Sequence, residues 1–128
     1  MTSDLAVIEE YFARVAEEPA STRSLYAEDC VLHYGGTHRL SGEYEGIDSI
    51  LEMFRRSPET FGLRLSLRPF DIAASERHVV ALLDATLGSG TRADQSWLRV
   101  VVFRLVGGLI AEQWLLDYDQ DLVARLQR

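Results

Sequence analysis

The sequence predicts an α+β domain, mainly because its hydrophobic period changes along the chain. Apolar residues recur at helical spacing in two segments of the first half, DLAVIEEYFARVAEE and EYEGIDSILEMFRRSP. From residue 63 the period changes to two, as in LRLSLRPF, where leucines alternate with arginine or serine. Helices followed by long antiparallel strands are typical of α+β domains. The 128 residues contain no linker or internal repeat, so residues 1–128 are predicted to form a single domain.

Three helices are predicted in the first half of the chain. The first covers residues 4–18, and a short second helix covers STRSLYAED after Pro19, a residue that suits a first helical turn. The strand CVLHY and the turn GG come next. The third helix follows, with Pro58 expected to end it. Its apolar residues form one stripe: Ile47, Ile50, Leu51 and Phe54.

Four strands are predicted in the second half. They are LRLSLRPF, HVVALLDATL, SWLRVVVFRLV and LIAEQWLLD, joined in part by the turns GSGTRAD and GG. Several strands are apolar at both parities, for example RVVVF at residues 99–103. One sheet face would cover the helices, and the other face would need a second cover. A homodimer through the outer sheet face is therefore expected.

Composition excludes several classes of function. The formal charge is −7 and the 13 basic residues are all arginine, so nucleic-acid binding is not expected and Schiff-base lysine chemistry is excluded. No apolar run approaches the roughly 20 residues of a membrane helix. The N-terminus carries acids where a secretory signal would carry basic residues. A cytoplasmic protein without membrane or nucleic-acid partners is expected.

Three segments carry a resemblance to a known family: SLYAEDCVLHYGG, LSGEYEGIDSILEMF and FRLVGGLIAEQW. They resemble the nuclear-transport-factor-2-like superfamily, in its SnoaL-like and ketosteroid-isomerase-like branch. The G-x-Y-x-G at residues 42–46 and the E-x-W at residues 112–114 are its most telling parts, and it covers nearly the whole chain. The resemblance implies a cone, in which a curved antiparallel (mixed) sheet wraps around three N-terminal helices and encloses an apolar pocket. Members include isomerases, polyketide cyclases, epoxide hydrolases and proteins that only bind.

Ketosteroid isomerases use a strand aspartate as base, with a tyrosine of the first helix and a second carboxyl group as oxyanion donors. The resemblance puts Tyr34 at the base position, with His33 beside it, and Tyr11 at the donor position once one loop residue is deleted. Val101 falls where the second carboxyl would stand. Only one of the three roles is kept, which argues against steroid isomerisation of that kind.

The last strand ends in three carboxylates at alternate positions. The run DYDQD begins like a calcium loop, but its sixth and twelfth positions hold Leu122 and Arg128, so calcium is excluded. Asp119 fits the N-cap of a C-terminal helix, with a position in the pocket as the alternative, and Asp121 fits its first turn. The three histidines lack close ligand spacing, and neither a metal nor a cofactor is predicted.

Asp117 is a candidate acid/base residue. On a straight strand it shares a face with Gln113 and Leu115, and the resemblance implies that this face looks into the cone. A carboxylate at an apolar pocket mouth has its pKa raised by desolvation, toward the range useful for proton transfer. The alternative is a solvated strand end.

His33 and Tyr11 complete the predicted catalytic set. His33 lies near the presumed base position and has an ordinary pKa near neutrality, so it could take or give a proton. A buried, hydrogen-bonded histidine is the alternative. Tyr11 lies on the helical stripe of Ile8 and Val15, and is either a hydroxyl donor in the pocket or a core tyrosine.

A set of substrate-binding residues follows from strand parity and from the resemblance. Arg99 could bind a carbonyl, an enolate or a carboxylate, and the alternative is a surface salt bridge. The predicted binding residues are Tyr34, Trp97, Arg99, Val101, Phe103, Gln113 and Leu115.

These observations predict a cofactor-independent acid/base enzyme, resembling SnoaL-like cyclases or isomerases, that acts on a small apolar carbonyl-bearing molecule. A non-catalytic ligand-binding or dimerisation domain of the same fold is the alternative. An epoxide hydrolase is the third hypothesis. It would need Asp84 to face Asp117 across the pocket, although Leu82 stands where that branch has an arginine.

Overall fold

The computed structural model describes residues 3–88 and 95–127. Within these residues, three α-helices, one 3₁₀ helix and six strands follow one another. They are α1 (Asp4–Val15), the 3₁₀ helix (Pro19–Leu25), β1 (Tyr26–Tyr34), β2 (Gly42–Glu45), α2 (Ile47–Phe61), β3 (Leu65–Ala74), β4 (His78–Leu87), β5 (Gln95–Val106), β6 (Leu109–Asp117) and α3 (Gln120–Leu126).

The six strands form one mixed sheet in the order β2-β1-β6-β5-β4-β3. Neighbouring strands are antiparallel except β1 and β6, which run parallel and pair Tyr34 with Leu115. The predicted α+β class, with helices against a mixed sheet, is confirmed. The parallel pair matters for function because it brings the end of β1 beside the end of β6.

Three local predictions are corrected. The short second helix ends at Leu25, and the YAED that follows belongs to β1. Pro58 does not end α2, which continues to Phe61 and stops at Gly62, a residue with φ of 79°. The short edge strand β2 was not predicted. Most of the predicted GSGTRAD turn lies at residues 89–94, outside the described residues.

Helix α1 begins where the sequence provides a cap and then packs its apolar side on the sheet. The Ser3 side chain accepts a hydrogen bond from the Ala6 amide at 3.1 Å, which satisfies one free amide of the first turn. Val7, Ile8 and Tyr11 are buried on the side that faces the strands. Fully burying a residue such as Ile8 contributes about 1.5–3 kcal/mol.

Alternation along the strands separates two sheet faces. In β4 and β5 every second residue is buried, including Leu83 and Phe103, and these side chains face the helices. The opposite face, called the outer face here, carries apolar side chains that the helices do not cover, such as Val80 and Leu116.

The C-terminal helix packs against the loop between β1 and β2. Asp119 caps α3 by accepting from the Leu122 amide at 3.1 Å, as predicted. The loop passes so close to α3 that a Cβ on Gly36 would overlap the Gln120 side chain, and the φ of 103° at Gly36 also favours glycine. Within residues 3–88 and 95–127, no helix combines the length and apolar character needed to cross a membrane.

Candidate functional site

A cavity of about 530 Å³ lies between the inner face of the sheet and the helices. This volume is typical of sites that hold small organic molecules. Helices α1 and α2 form two of its walls, and the sheet residues form its floor. The lining includes Tyr11, Phe12, Val15, Tyr34, Leu51, Met53, Phe54, Pro58, Leu65, Leu67, Leu83, Arg99, Val101, Gln113 and Leu115. Most of these side chains are apolar, so the few polar groups on the floor decide what the cavity can recognise.

The first polar group on the floor is an ion pair between neighbouring strands. Arg99 on β5 is paired in register with Asp117 on β6, and the two side chains are 5% and 0% exposed. Arg99 Nε donates to Asp117 Oδ1 at 2.8 Å. Trp97 Nε1 donates to the same oxygen at 2.6 Å, and the Tyr34 hydroxyl donates to Oδ2 at 3.0 Å. The Asp117 carboxylate therefore accepts hydrogen bonds from three different side chains.

Electrostatics fix the protonation states of Tyr34 and Arg99 at neutral pH. Burial raises the pKa of the Tyr34 hydroxyl, although Arg99 acts in the opposite direction, so Tyr34 stays neutral and can donate. Burial also disfavours the guanidinium charge, but Tyr34 and Asp117 outweigh it and the pKa of Arg99 is raised. The floor consequently carries one positive and one negative charge, which cancel.

Part of the Arg99 guanidinium remains available to a ligand. Its Nε and Nη2 atoms are engaged by Asp117 and Tyr34. Its Nη1 atom has no hydrogen-bond partner among residues 3–88 and 95–127, and Arg99 lines the cavity. A guanidinium nitrogen carries two hydrogens at this position, so the floor offers donors to an oxygen inside the cavity.

The second polar group joins two tyrosines through a glutamine. Gln113 is 1% exposed; its Oε1 accepts from the Tyr26 hydroxyl at 2.5 Å, and its Nε2 donates to the Tyr11 oxygen at 3.2 Å. Burial raises the pKa of both hydroxyls, so both tyrosines are neutral at physiological pH. Tyr11 and Gln113 line the cavity, whereas Tyr26 lies behind them.

Comparison with known proteins identifies the family. The sequence profile of the SnoaL-like domain matches residues 8–113. The chain belongs to the SnoaL-like domain family. This confirms the resemblance that the sequence motifs carry. A comparison with curated proteins gives no match.

Solved structures share the fold of this SnoaL-like domain at low sequence identity. A nuclear-transport-factor-2-like protein from Burkholderia pseudomallei is 16% identical, with a TM-score of 0.81 over 98% of both chains. TerC, crystallised with polyporic acid, is 16% identical, with a TM-score of 0.83 over 96% of both chains. A protein from Kribbella flavida, suggested to be a ketosteroid isomerase, is 19% identical, with a TM-score of 0.73 over 91% of this chain and 78% of its own. At these identities the likeness shows the fold alone.

The structure brings most of the predicted site residues of this SnoaL-like domain together. Those that line the cavity are Tyr11, Tyr34, Arg99, Val101, Gln113 and Leu115. Trp97 and Asp117 lie behind the lining and contact it through Arg99. Phe103 is fully buried against the rings of Tyr11 and Phe12 and does not reach the cavity.

The predicted pocket position of His33 is corrected. Along β1 the side chains of Leu32 and Tyr34 point inward, so His33 between them points to the outer face. There its ring stacks on Trp114 with ring centroids 5.5 Å apart. Its Nδ1 and Nε2 atoms lie 3.0 Å and 2.7 Å from carboxylate oxygens of Glu43 and Glu112. His33 cannot reach a ligand in the cavity.

Asp84 also lies on the outer face. Its carboxylate binds Arg68 at 2.6 Å, and both side chains are substantially exposed. The arrangement required for an epoxide hydrolase, with Asp84 opposite Asp117 across the cavity, is therefore absent.

Among the described residues there is also no cluster of three metal-binding side chains. Burial raises the pKa of the Cys30 thiol to about 11, which leaves it protonated and unreactive at neutral pH.

Sequence reasoning missed two parts of the site. The helical prediction for STRSLYAED includes Tyr26, but its even-numbered parity with Leu32 and Tyr34 marks it as an inward residue of β1. The contribution of α2 was missed as well, although its apolar stripe provides Leu51 and Phe54 to the wall. At the mouth, charged residues complete the lining: Asp48, Glu52, Arg55 and Arg64.

Proposed function

We propose that this SnoaL-like domain is a cofactor-independent enzyme that acts on a small, apolar and neutral molecule bearing a carbonyl group. One observation carries the proposal: an arginine with free donors stands on the floor of an apolar cavity, held by a buried carboxylate. The crystallisation of TerC, a protein of the same fold, with polyporic acid supports a small organic ligand.

Cancellation of charge on the floor favours a neutral substrate. The positive charge of Arg99 is already balanced by Asp117, so a carboxylate bound there would bring an uncompensated charge into an apolar cavity. A carbonyl oxygen brings no such charge when it binds. It becomes negative only as the carbonyl turns into an enolate, and donors aimed at that oxygen then stabilise the transition state more than the bound substrate.

The donors have defined roles in this proposal. Arg99 Nη1 and the Tyr11 hydroxyl donate to the carbonyl oxygen, and Leu115 and Val101 contact the apolar part of the substrate. Tyr34 does not bind the oxygen, because its hydroxyl is used by Asp117 and Arg99. Gln113 acts through Tyr11, to which it donates.

Asp117 holds the guanidinium in this proposal and does not act as the base. Both of its oxygens already accept hydrogen bonds from Trp97, Arg99 or Tyr34, and proton uptake would disrupt them. With His33 on the outer face, no other histidine lines the cavity in the described part of the chain. With no strong base among these residues, the proton passes to solvent water in this proposal, which suits carbon acids that lose a proton easily. We therefore favour β-dicarbonyl compounds, whose enolates can close a ring by attacking a second carbonyl.

The test is hydrogen–deuterium exchange at the acidic carbon of acetyltetralone, a bicyclic β-diketone, followed by NMR in deuterated buffer. The informative variant is the pair Arg99→Met with Asp117→Leu, which removes the donor without leaving a buried charge. Loss of an oxyanion donor lowers rates by about 100-fold or more, so catalysed exchange should fall by that factor. The matched control is Arg68→Met with Asp84→Leu, an exposed pair on the same sheet, which should exchange like the wild type. Equal exchange in all three proteins and in buffer would contradict an enzyme.

A second function is favoured by the state of Asp117. Because its oxygens are occupied and the nearby tyrosines are neutral, the floor can bind a carbonyl without moving a proton. A ligand-binding domain would bind acetyltetralone in calorimetry, lose affinity in the Arg99→Met, Asp117→Leu variant and catalyse no exchange. Binding with catalysed exchange favours the enzyme, and binding without catalysed exchange favours the ligand-binding domain.

We further propose a homodimer through the outer face. Three apolar side chains there are 36–54% exposed: Val80, Leu116 and Phe70. Covering such side chains contributes roughly 25 cal/mol for each Å² buried, and a second copy of the same face is the simplest complement. Light scattering at several concentrations should give a dimer, and Leu116→Lys should give a monomer with an intact fold. A monomeric wild type at every concentration would contradict the proposal.

A further inference from the structure

Among the side-chain nitrogen and oxygen atoms that are fully shielded from solvent in the described part of the chain, one has no hydrogen-bond partner: Nε2 of His38. His38 lies in the loop between β1 and β2, on the side of the sheet where β1 and β6 end. Unpaired polar atoms in a protein interior are rare because burial without a partner costs free energy. The atom therefore requires an explanation.

The neighbours of the ring define its tautomer. Nδ1 faces the Leu40 amide at 3.3 Å and Gln127 Nε2 at 2.9 Å. The Gln127 amide is oriented by a second bond, because its Oε1 accepts from the Arg39 amide at 3.0 Å. A backbone amide can only donate, so Nδ1 must accept and carries no hydrogen. In the neutral ring the hydrogen is then on Nε2, the atom without a partner.

The ring of Tyr34 packs against the ring of His38. The two rings meet edge to face, with centroids 4.8 Å apart and planes at 81°. An aromatic face is a weak acceptor for a ring N–H, and this geometry allows that contact. The guanidinium of Arg99 also packs on the Tyr34 ring, with its Cζ atom 5.6 Å from the ring centroid. Tyr34 thus lies between His38 and the ion pair on the cavity floor.

We propose that His38 is a positioning residue for the cavity floor. His38 contacts Gln127, which follows α3, and also packs against Tyr34. The Tyr34 hydroxyl in turn donates to Asp117 and accepts from Arg99. The effect of His38 on ligand binding rests on the proposed function, because that function uses the Arg99 donors. The effect of His38 on the position of Arg99 does not depend on the proposed function.

We call the contacts of His38 with Leu40, Gln127 and Tyr34 the His38 clamp. Protonation of His38 would disrupt these contacts. A proton on Nδ1 removes the acceptor for Leu40 and Gln127 and adds a positive charge near Arg99. The charged and titratable groups that face the ring are Asp117 on β6, Arg99 on β5 and Tyr34 on β1. Burial lowers the pKa of His38, Asp117 acts in the opposite direction, and Arg99 lowers it further. The neutral, clamped form is therefore the form present at pH 7.

The arginine side-chain Nε–H signals in proton–nitrogen NMR spectra test the clamp without any ligand. The Arg99 signal is assigned by its loss in Arg99→Lys, and the labelled full chain is titrated from about pH 8 to about pH 5, the range in which histidine changes charge. We expect the Arg99 signal to move with the same midpoint as the His38 ring signals. In His38→Asn, whose side-chain oxygen can still accept from Leu40, the pH response of Arg99 should disappear. The control His78→Asn, a histidine of β4, should keep it.

A ligand measurement separates the clamp from the proposed function. Affinity for acetyltetralone should fall about 5-fold between the neutral and acidic ends of the titration in the wild type, as expected for losing about one hydrogen bond, and should be constant in His38→Asn. Failure of acetyltetralone to bind at any pH, with Arg99 still following His38, would reject the proposed function and support the clamp. An Arg99 signal that ignores the titration of His38 in the wild type would overturn the clamp, and this result needs no variant to fold.

Discussion

Arg99 and Asp117 stand directly opposite one another on β5 and β6, and the guanidinium Nε donates to the carboxylate at 2.8 Å with both side chains buried. Taking both charges out of water costs several kcal/mol, and mutual attraction offsets this only while both partners are present. Such a pair adds little net stability, so stability alone does not explain its presence. Its position on the floor of an apolar cavity agrees with the proposed role of Arg99 as a donor to a ligand.

Removing one partner should damage the fold more than removing both. Asp117→Ala leaves the Arg99 charge buried without a partner and should lower the free energy of unfolding by about 3–5 kcal/mol. The double change Arg99→Met with Asp117→Leu should cost far less, because apolar residues of similar volume fill the same space. Urea unfolding measures both. Asp84→Ala, which breaks the exposed pair with Arg68, should cost under about 1 kcal/mol. Equal losses for the single and double variants would contradict the account.

A tyrosine outside the cavity should affect the hydroxyl inside it. In Tyr26→Phe the Gln113 oxygen loses its donor, so the free energy of unfolding should fall by about 1–3 kcal/mol. The Gln113 amide also loses the contact that orients it toward Tyr11, and affinity for acetyltetralone should fall with it. Unfolding and calorimetry measure the two effects. Tyr118→Phe, at a side chain that is 81% exposed, is the matched control and should change neither. An unchanged affinity in Tyr26→Phe would show that Tyr11 is not oriented through Gln113.

Strand periodicity predicts the second half of this fold well. The expected strands HVVALLDATL and LIAEQWLLD coincide with His78–Leu87 and Leu109–Asp117. Their alternation is regular because one face is packed against the helices, and this fixes the phase of the pattern. The same alternation places Arg99, Val101 and Gln113 on one face, so half of the cavity floor could be read from the sequence.

The remaining part of the site depends on contacts between distant segments. In β1 both parities are apolar around Val31 and Leu32, so the phase that turns His33 outward cannot be read from the strand alone. The saturation of Asp117 by Trp97 and Tyr34 requires the parallel pairing of β1 with β6, which no local pattern encodes. The sequence therefore predicts a pocket aspartate but not that its oxygens are occupied.

Acid should lower the free energy of unfolding through Glu112, which lies on the outer face of the sheet. The hydrogen bond from His33 lowers the pKa of Glu112, and Arg104 acts in the same direction. A carboxylate with a lowered pKa in the folded state stabilises that state above its unfolded pKa, near 4.5, and the contribution is lost as the pH falls through the folded pKa. The free energy of unfolding should therefore decrease as the pH falls below about 5, with a smaller slope in Glu112→Gln. Glu9→Gln, at an exposed position of α1, should keep the wild-type slope. Identical slopes in the wild type and Glu112→Gln would contradict this assignment.

The proline inside α2 should cost stability that substitution can recover. Pro58 lies within the helix Ile47–Phe61, where it cannot donate to the carbonyl of Phe54 one turn earlier. Pro58→Ala restores that donor, and although it also increases the freedom of the unfolded chain, the net gain in unfolding free energy should be about 1–2 kcal/mol. Pro19→Ala is the matched comparison, because Pro19 occupies the first position of the 3₁₀ helix, where proline is favourable, and this change should destabilise slightly. Pro58 also lines the cavity, so its replacement should alter affinity for acetyltetralone as well as stability. Thermal and urea unfolding of both variants decide the point: a loss of stability in Pro58→Ala would mean that α2 requires the proline for the shape of its wall.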